Sequence, residues 1–338
     1  MNSILLVRLS AMGDLVQGIG AVRALHAVRP DLAITIVTQA PFAPLLDGLP
    51  GVRRVVPFRR DGGLAALWQV RAALRADRYD LALDLQGNWK SALVARLSGA
   101  RRRIGAEAAA RQEPASRMLL HRTVAVDGPP HPARIAWHLV REVAPGAPFL
   151  PPRLVAAPAE LAAERAAVAA AGIDPARPFR VVVATDPADP RALRPAVVDR
   201  LVHAATGPAL LLVGPAEAGL VLPPGVPVLR HGRGEPRRLI ALGAVIAAAD
   251  GRVVAPDTGA VHVLAAAGAA CEVRFGSEDP RRTAPPTATA LVHAAPPGCA
   301  PCRQRRCTHA NGPVCMEFDA ANARIVPLGL PPSSPGAA

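Results

Sequence analysis

Strands that alternate with helices, in two successive runs, predict an α/β protein of two doubly wound domains facing a central cleft. Three observations carry this expectation. The chain has 338 residues, too many for one ordinary domain and suited to two of about 150 each. Half of it is hydrophobic (51%) but only 3% aromatic, so both halves can bury cores of Ala, Leu and Val. A Pro-rich stretch at 143–158 then separates two runs of the same pattern, and such alternation implies parallel sheets covered on both faces.

The first run opens with a buried strand at Ile4–Leu9, an amphipathic helix at Val16–Val28 and a strand at Ala33–Thr38. Strands at Val52–Pro57 and Leu81–Leu85 follow, with helices at Leu64–Ala76 and Trp89–Leu97. An Ala-rich helix at Leu161–Ala171 leads into the second run. There the pattern gives strands at Arg180–Ala184, Ala209–Val213 and Gly251–Ala255, with helices at Pro195–Ala205, Pro236–Ala248 and Ala260–Ala267. The expected domains are 1–155 and 156–326, the second carrying a Cys-rich loop at 299–315, with a Pro/Ser/Gly-rich disordered tail at 327–338. Ligands of such folds bind at the carboxyl ends of the strands, where the strand order reverses.

A net charge of +13 and a pI near 11.2 imply an anionic partner. Lys90 is the single lysine, so part of the arginine excess reflects GC-rich coding. The few aromatics do not interleave with basic runs as base-stacking platforms would, which argues against nucleic acid. Met1–Leu9 lacks the charged start and cleavage site of a signal peptide, and no apolar stretch approaches the ~20 residues of a membrane span. The expected location is cytoplasmic, at the inner face of the inner membrane if charge draws the protein there.

Three segments at strand ends carry candidate chemistry. In Arg8-Leu9-Ser10-Ala11-Met12-Gly13-Asp14 the aspartate is either a helix cap or a general base pointing into the crevice. In Asp257-Thr258-Gly259-Ala260-Val261-His262 a strand ends in a turn that opens a helix, whose free N–H groups can hold a pyrophosphate; a plain capped helix start has the same pattern. In Asp84-Leu85-Gln86-Gly87-Asn88-Trp89-Lys90-Ser91 polar residues gather at the predicted crevice, as they also do at a solvated helix start.

Together these segments resemble glycosyltransferase family 9, the ADP-heptose:lipopolysaccharide heptosyltransferases. The matching stretches are ILLVRLSAMGDLVQGIGAVRAL, YDLALDLQGNWKSALVARLSGARRRIG, and APDTGAVHVLAAAG with the later FGSEDPRRT. The resemblance implies a GT-B fold of two Rossmann-like domains, an N-terminal acceptor domain and a C-terminal nucleotide-sugar domain. It further implies an inverting transfer of a heptose or related sugar from an ADP-sugar onto a lipopolysaccharide core or other glycan, with no cofactor required for catalysis. Asp14 matches the general base. Asp257, Thr258, Gly259 and His262 match the donor motif, and Glu217 falls where an acidic ribose contact is common. Lys90, Gln86 and Arg103 fall in the acceptor region, and the basic surface from Arg53 to Arg103 suits an anionic, membrane-held glycolipid.

One segment departs from the family. A lysine that contacts donor phosphates is expected near Ala192, within Ala184–Pro195, and Asp186 and Asp189 add negative charge there. Arg191 or Arg194 are the candidate replacements, although guanidinium and ammonium groups are not interchangeable. The departure keeps a second class of reading open, a non-catalytic member acting in binding or assembly. A dinucleotide-dependent oxidoreductase is disfavoured, because no G-x-G-x-x-G follows the first strand. Cys299, Cys302, Cys307 and Cys315 have the spacing of a structural zinc or iron site, or are reduced thiols of a surface loop. His309 is a further candidate ligand, and Cys271 reads as a core residue.

Overall fold

The structure is a computed structural model that describes every residue except 204–206, 218, 233 and 334–338. The chain divides into two compact units, Met1–Pro152 with Gly329–Ala338, and Arg153–Leu328. The sequence pattern had set this boundary between 155 and 156. Residues 334–338 of the expected tail, and the last two residues of the helix expected at Pro195–Ala205, lie outside the described residues.

In the first unit, strands β1 (Ser3–Val7), β2 (Ala33–Gln39), β3 (Val52–Phe58), β4 (Leu81–Asp84), β5 (Arg102–Ala106) and β6 (Arg122–Val124) form one sheet in the order β3-β2-β1-β4-β5-β6. Every pairing is parallel. The central strands are apolar throughout because helices cover both faces; Leu5, Leu6, Ala82 and Leu83 are all buried. The helices are α1 (Met12–Val28), α2 (Gly63–Arg75), α3 (Trp89–Leu97) and α4 (Pro132–Arg141). Helix α1 begins four residues before the apolar periodicity does, so Gly13 lies within its first turn and not in a preceding loop. Gly20 on α1 allows close passage of the segment that leaves this unit, since a Cβ there would lie 2.0 Å from the Leu150 carbonyl oxygen. Arg23 fixes the same segment by donating to the Pro151 carbonyl at 2.7 Å.

The second unit begins with α5 (Pro158–Ala170) and then repeats the plan. Its elements are β7 (Arg180–Ala184), α6 (Pro195–His203), β8 (Ala209–Val213), β9 (Val228–Arg230), α7 (Pro236–Ala248), β10 (Arg252–Pro256), α8 (Gly259–Ala266), β11 (Ala270–Phe275), α9 (Pro280–Thr283), β12 (Thr289–His293) and β13 (Ala323–Ile325). The order β13-β12-β11-β10-β7-β8-β9 is that of the first sheet with one antiparallel strand added at an edge. Buried Glu164 of α5 clamps this unit: one carboxylate oxygen meets His231 Nε2 at 2.8 Å and the other accepts from Arg238 Nε at 2.9 Å. Both sheets therefore reverse direction between their first and fourth strands, β1/β4 and β7/β10. These are the places where such sheets bind ligands.

Candidate functional site

The first reversal point brings two of the singled-out segments together. Arg8, which follows β1, is 4% exposed. Its guanidinium pairs with the Asp14 carboxylate and donates to the Leu85 carbonyl. Asp14 is the third residue of α1, and its Oδ2 also accepts from the Ala11 backbone N–H at 3.2 Å. It therefore completes the reciprocal half of a capping box at a helix start whose N-cap is alanine. Capping and functional readings are compatible, because the Asp14 side chain remains 24% exposed.

Gln86, at the end of β4, is 6% exposed. Its Oε1 accepts from the Leu9 and Ser10 N–H groups at 2.7 and 3.1 Å, and its Nε2 donates to Ser10 Oγ at 3.0 Å. This amide is spent on holding the β1–α1 turn, so Gln86 positions the segment that carries Asp14. Beneath it, Asp84 and Arg111 form an ion pair with fully buried side chains at 2.7 Å. Asp84 Oδ1 accepts from Gln86 N and Gly87 N, and Arg111 also donates to Ser116 Oγ. Gly87 adopts φ +80°, and a Cβ there would lie 3.1 Å from Arg111 Cα, so glycine is required on both counts. Arg8 and Asp84 open two of the segments singled out by sequence but carry no assigned role there, and Arg111 and Ser116 lie outside those segments.

Lys90 lies exposed in the first turn of α3, with Nζ 5.9 Å from the centre of the Phe58 ring. Arg103 does not join Gln86 and Lys90. It is the second residue of β5, and its guanidinium donates to the Leu119 carbonyl at 2.9 Å and meets His121 Nε2 at 2.8 Å. Burial holds its pKa below the usual arginine value, with Arg96 adding repulsion.

The second reversal point carries the segment that resembles a donor motif. Asp257 is 7% exposed at the end of β10, and its Oδ1 lies 3.3 Å from His262 Nε2. Burial opposes its charge, but bonds to His262 and Thr283 and the Arg191 cation outweigh burial, so its pKa lies below the usual carboxylate range. His262 is itself buried and turned to Asp257, and thus orients the aspartate. Thr258 is the N-cap of α8, its backbone extended and its hydroxyl without a hydrogen-bond partner in the structure. The hydroxyls of Thr185, after β7, and Ser277, after β11, are likewise buried without partners. Three hydroxyls and the opening amides of α8 thus remain available for an oxyanion at the strand ends.

Arg191 and Arg194 have different partners. Arg191 chelates Asp189, Nε to Oδ1 at 3.0 Å and Nη2 to Oδ2 at 2.6 Å. That bond, with the charges of Asp257 and Glu278, raises its pKa against the effect of burial. Arg194 reaches Glu317 Oε1 at 3.4 Å and the Pro187 carbonyl at 3.5 Å. Ala192, near the expected lysine position, is 1% exposed. Glu217 is pushed above the usual carboxylate range by burial and by Asp186 and Asp189; Glu278 is pushed up by burial and Asp257. Neither Glu278 nor Thr283 was singled out by sequence, although both lie in the FGSEDPRRT stretch. An apolar cavity of about 410 Å³, lined by Ala184, Thr185, Leu193, Val198, Leu220 and Leu222, opens beside the end of β7.

Of the four loop cysteines, Cys315 is buried, Cys302 and Cys307 are half-buried and Cys299 is exposed. Burial and the neighbouring Cys302, Cys307 and Cys299 push the Cys315 thiol up to about 11. Among the described residues, no three His, Cys, Asp or Glu side chains stand in metal-binding geometry. His309 Nδ1 accepts from the Asn311 N–H at 3.2 Å. Cys271 is a core residue, its thiol pushed up to about 12 by burial.

Residues 67–172 match the sequence profile of glycosyltransferase family 9 (heptosyltransferase). The resemblance to glycosyltransferase family 9 stands. Lipopolysaccharide heptosyltransferase 2 of Escherichia coli strain K12 is 32% identical over 105 residues, and the match spans 30% of this chain and 30% of that protein. The crystal structure of a family 9 glycosyl transferase from Veillonella parvula superposes with a TM-score of 0.72 at 15% identity, covering 86% of this chain and 84% of that one. The E. coli heptosyltransferase WaaC, solved with ADP-2-deoxy-2-fluoro heptose, gives 0.65 at 19% identity, covering 85% and 92%. The fold is the α/β GT-B fold of these glycosyltransferases. Among the described residues no helix is long and apolar enough to cross a membrane.

Proposed function

We propose that the chain is an inverting family 9 glycosyltransferase that moves a heptose or related sugar from an ADP-sugar onto an anionic glycolipid or other glycan. The observation that carries this reading is the repeated strand order, with a carboxylate presented at one reversal point and an anion cradle at the other. Asp14 is the general base that takes the proton of the acceptor hydroxyl. Arg8 fixes the direction of its carboxylate, and Gln86 holds the turn on which both depend. Lys90 and the arginines exposed near it meet the negative charge of the acceptor.

The donor diphosphate lies against the start of α8, where backbone N–H groups and the helix dipole favour negative charge. Thr258, Thr185 and Ser277 are the hydroxyl donors, and Asp257, held by His262 and Thr283, shapes the turn. Positive charge at the departing ADP comes from Arg191 once it exchanges Asp189 for the diphosphate. This preorganised electrostatic stabilisation needs no catalytic metal. Glu217 takes the ribose, and the cavity beside Thr185 accepts the base.

The test is turnover against a panel of nucleotide sugars, read as nucleotide release with and without glycan acceptor. Asp14→Asn should lower turnover by ~10²–10⁴-fold, the usual range for a lost general base, with donor affinity unchanged. Undiminished turnover returns Asp14 to capping alone.

The four cysteines form a structural metal site in this reading, on the strength of their spacing in one loop and the turn residues Pro301, Gly312 and Pro313 between them. Zinc or iron would draw the thiolates together and staple the loop, a folding role apart from the transfer. Elemental analysis of the purified chain should find about one zinc or iron per chain. Four freely titratable thiols with negligible metal would contradict this.

A further inference from the structure

Helix α2 shows two opposite faces. Ala66, Val70 and Leu74 enter the core of the first unit. On the other side Leu64 is 75% exposed and Trp68 63% exposed, one helical turn apart, with Ala65 and Ala72 exposed beside them. Exposed side chains of this size are costly in water, and two together on one helix face need a reason. Cations surround them. Arg59 and Arg60, exposed just after β3, precede the helix. The Arg71 guanidinium lies 5.3 Å from the centre of the Trp68 ring, and exposed Arg75 continues the Leu64–Trp68 line. Asp61 is the one acidic residue from Arg59 through Arg75.

The patch also has a place in the sheet. Helix α2 starts after the carboxyl end of β3 and α3 starts after that of β4, on the same side of the sheet as the start of α1, which carries Asp14. Lys90 of α3 lies over Phe58, the last residue of β3, and Trp89 beside it is 42% exposed. Two tryptophans, a leucine and several cations therefore share the rim of the candidate acceptor site.

We propose that this rim docks on an anionic lipid surface, with Leu64 and Trp68 entering the headgroup boundary and Arg59, Arg60 and Arg71 meeting lipid phosphates. Tryptophan prefers that boundary, and helices with an apolar stripe flanked by arginine lie in it. The apolar area is small and its border strongly cationic, which suits a lipid surface better than a protein partner. The inference rests on the reading of the acceptor as a membrane-held glycan, for which docking would bring the crevice to the substrate.

The experiment is co-sedimentation of the full chain with phosphatidylglycerol–phosphatidylcholine vesicles and with pure phosphatidylcholine vesicles, neither holding donor nor glycan. Wild type should bind the anionic vesicles and largely leave the neutral ones. The double variant Leu64→Gln/Trp68→Gln, whose side chains are exposed and leave the fold intact, should lose about ten-fold or more in partitioning. Arg59→Gln/Arg60→Gln should lose roughly 30-fold, about five-fold for each charge removed near the surface. Melting temperature and ADP affinity of the variants serve as the folding control. Wild type that stays in the supernatant, or Leu64/Trp68 variants that bind as wild type does, would overturn the proposal. So would a wild-type dimer that the double variant converts to monomer without change in vesicle binding. Glycosyl transfer to a soluble acceptor is measured separately, so failure of docking and failure of the transferase reading are distinguishable.

Discussion

Around β1 and β4, Arg8 meets Asp14 and Arg111 meets Asp84. Around β7 and β10, Asp186, Asp189, Glu217, Asp257 and Glu278 gather near Arg191, and two of the five, Glu217 and Glu278, have raised pKa values. The strand order is the same in both sheets; the electrostatic state of their ends is not. A site whose charges are already matched presents a fixed geometry. One with excess carboxylate resists an anion until an internal pair is exchanged, so the second site should bind its ligand less tightly than a lysine-bearing site would. The lesson is that topology locates both sites, while charge pairing decides how much of the binding energy each retains.

The largest effect that can break this comparison lies at the matched end. Removing Arg111 leaves the Asp84 charge buried and alone, which costs about 3–5 kcal/mol. Arg111→Met should therefore lower the stability of the first unit by that amount in denaturant unfolding. A loss below about 1 kcal/mol, the value of an exposed pair, would mean that the buried pair is not what holds the Gln86–Gly87 turn.

Next in size is the release of Arg191. Asp189→Asn keeps an oxygen to accept the Arg191 backbone N–H, bonded at 2.8 Å, but removes the charge that binds the guanidinium. ADP affinity should rise by roughly ten-fold, the worth of one charge-assisted bond no longer surrendered. Unchanged or weaker binding would show that Arg191 does not make the exchange.

The smallest effect is the pH profile. Glu217 has a folded pKa raised by burial and by Asp186 and Asp189, so the folded protein holds its proton more tightly than the unfolded chain. Its contribution to stability therefore grows as pH falls through the folded pKa. Protonation also removes negative charge from the proposed donor site. ADP affinity should increase from about neutral pH down towards the carboxylate range, and Glu217→Gln should flatten the rise. A steeper profile in the variant would contradict this assignment.

The sequence was most legible where one residue pattern sufficed. Helices Trp89–Leu97 and Pro236–Ala248 and strands Arg180–Ala184 and Ala209–Val213 occur with the bounds their periodicity predicts. Strand β5 was missed because Arg102 and Arg103 make its first half look like a solvated basic run, though Ile104 and Ala106 are buried. Helix α4 was missed because it starts with proline after His131, whose ring replaces the usual capping side chain by accepting from Ala133 N. Site residues followed the same rule. Asp14 and Asp257 announce themselves at strand ends, but Arg111 reaches Asp84 from 27 positions away and Thr283 reaches Asp257 from 26. Such partners are chosen by the sheet's folding, and nothing local marks them.

The central claim is that the second reversal point remains a nucleotide diphosphate site although its lysine is gone. Calorimetric titration of ADP into wild type, Arg191→Ala and Asp257→Ala tests it most directly. Wild type should bind; Arg191→Ala should weaken binding by about 10–150-fold, equal to 1.5–3 kcal/mol for a charge-assisted bond to phosphate. Asp257→Ala should also weaken it, through loss of the turn that presents the α8 amides. Wild type that binds no ADP would favour a binding or assembly protein on a transferase fold, and binding indifferent to both substitutions would place the phosphates elsewhere.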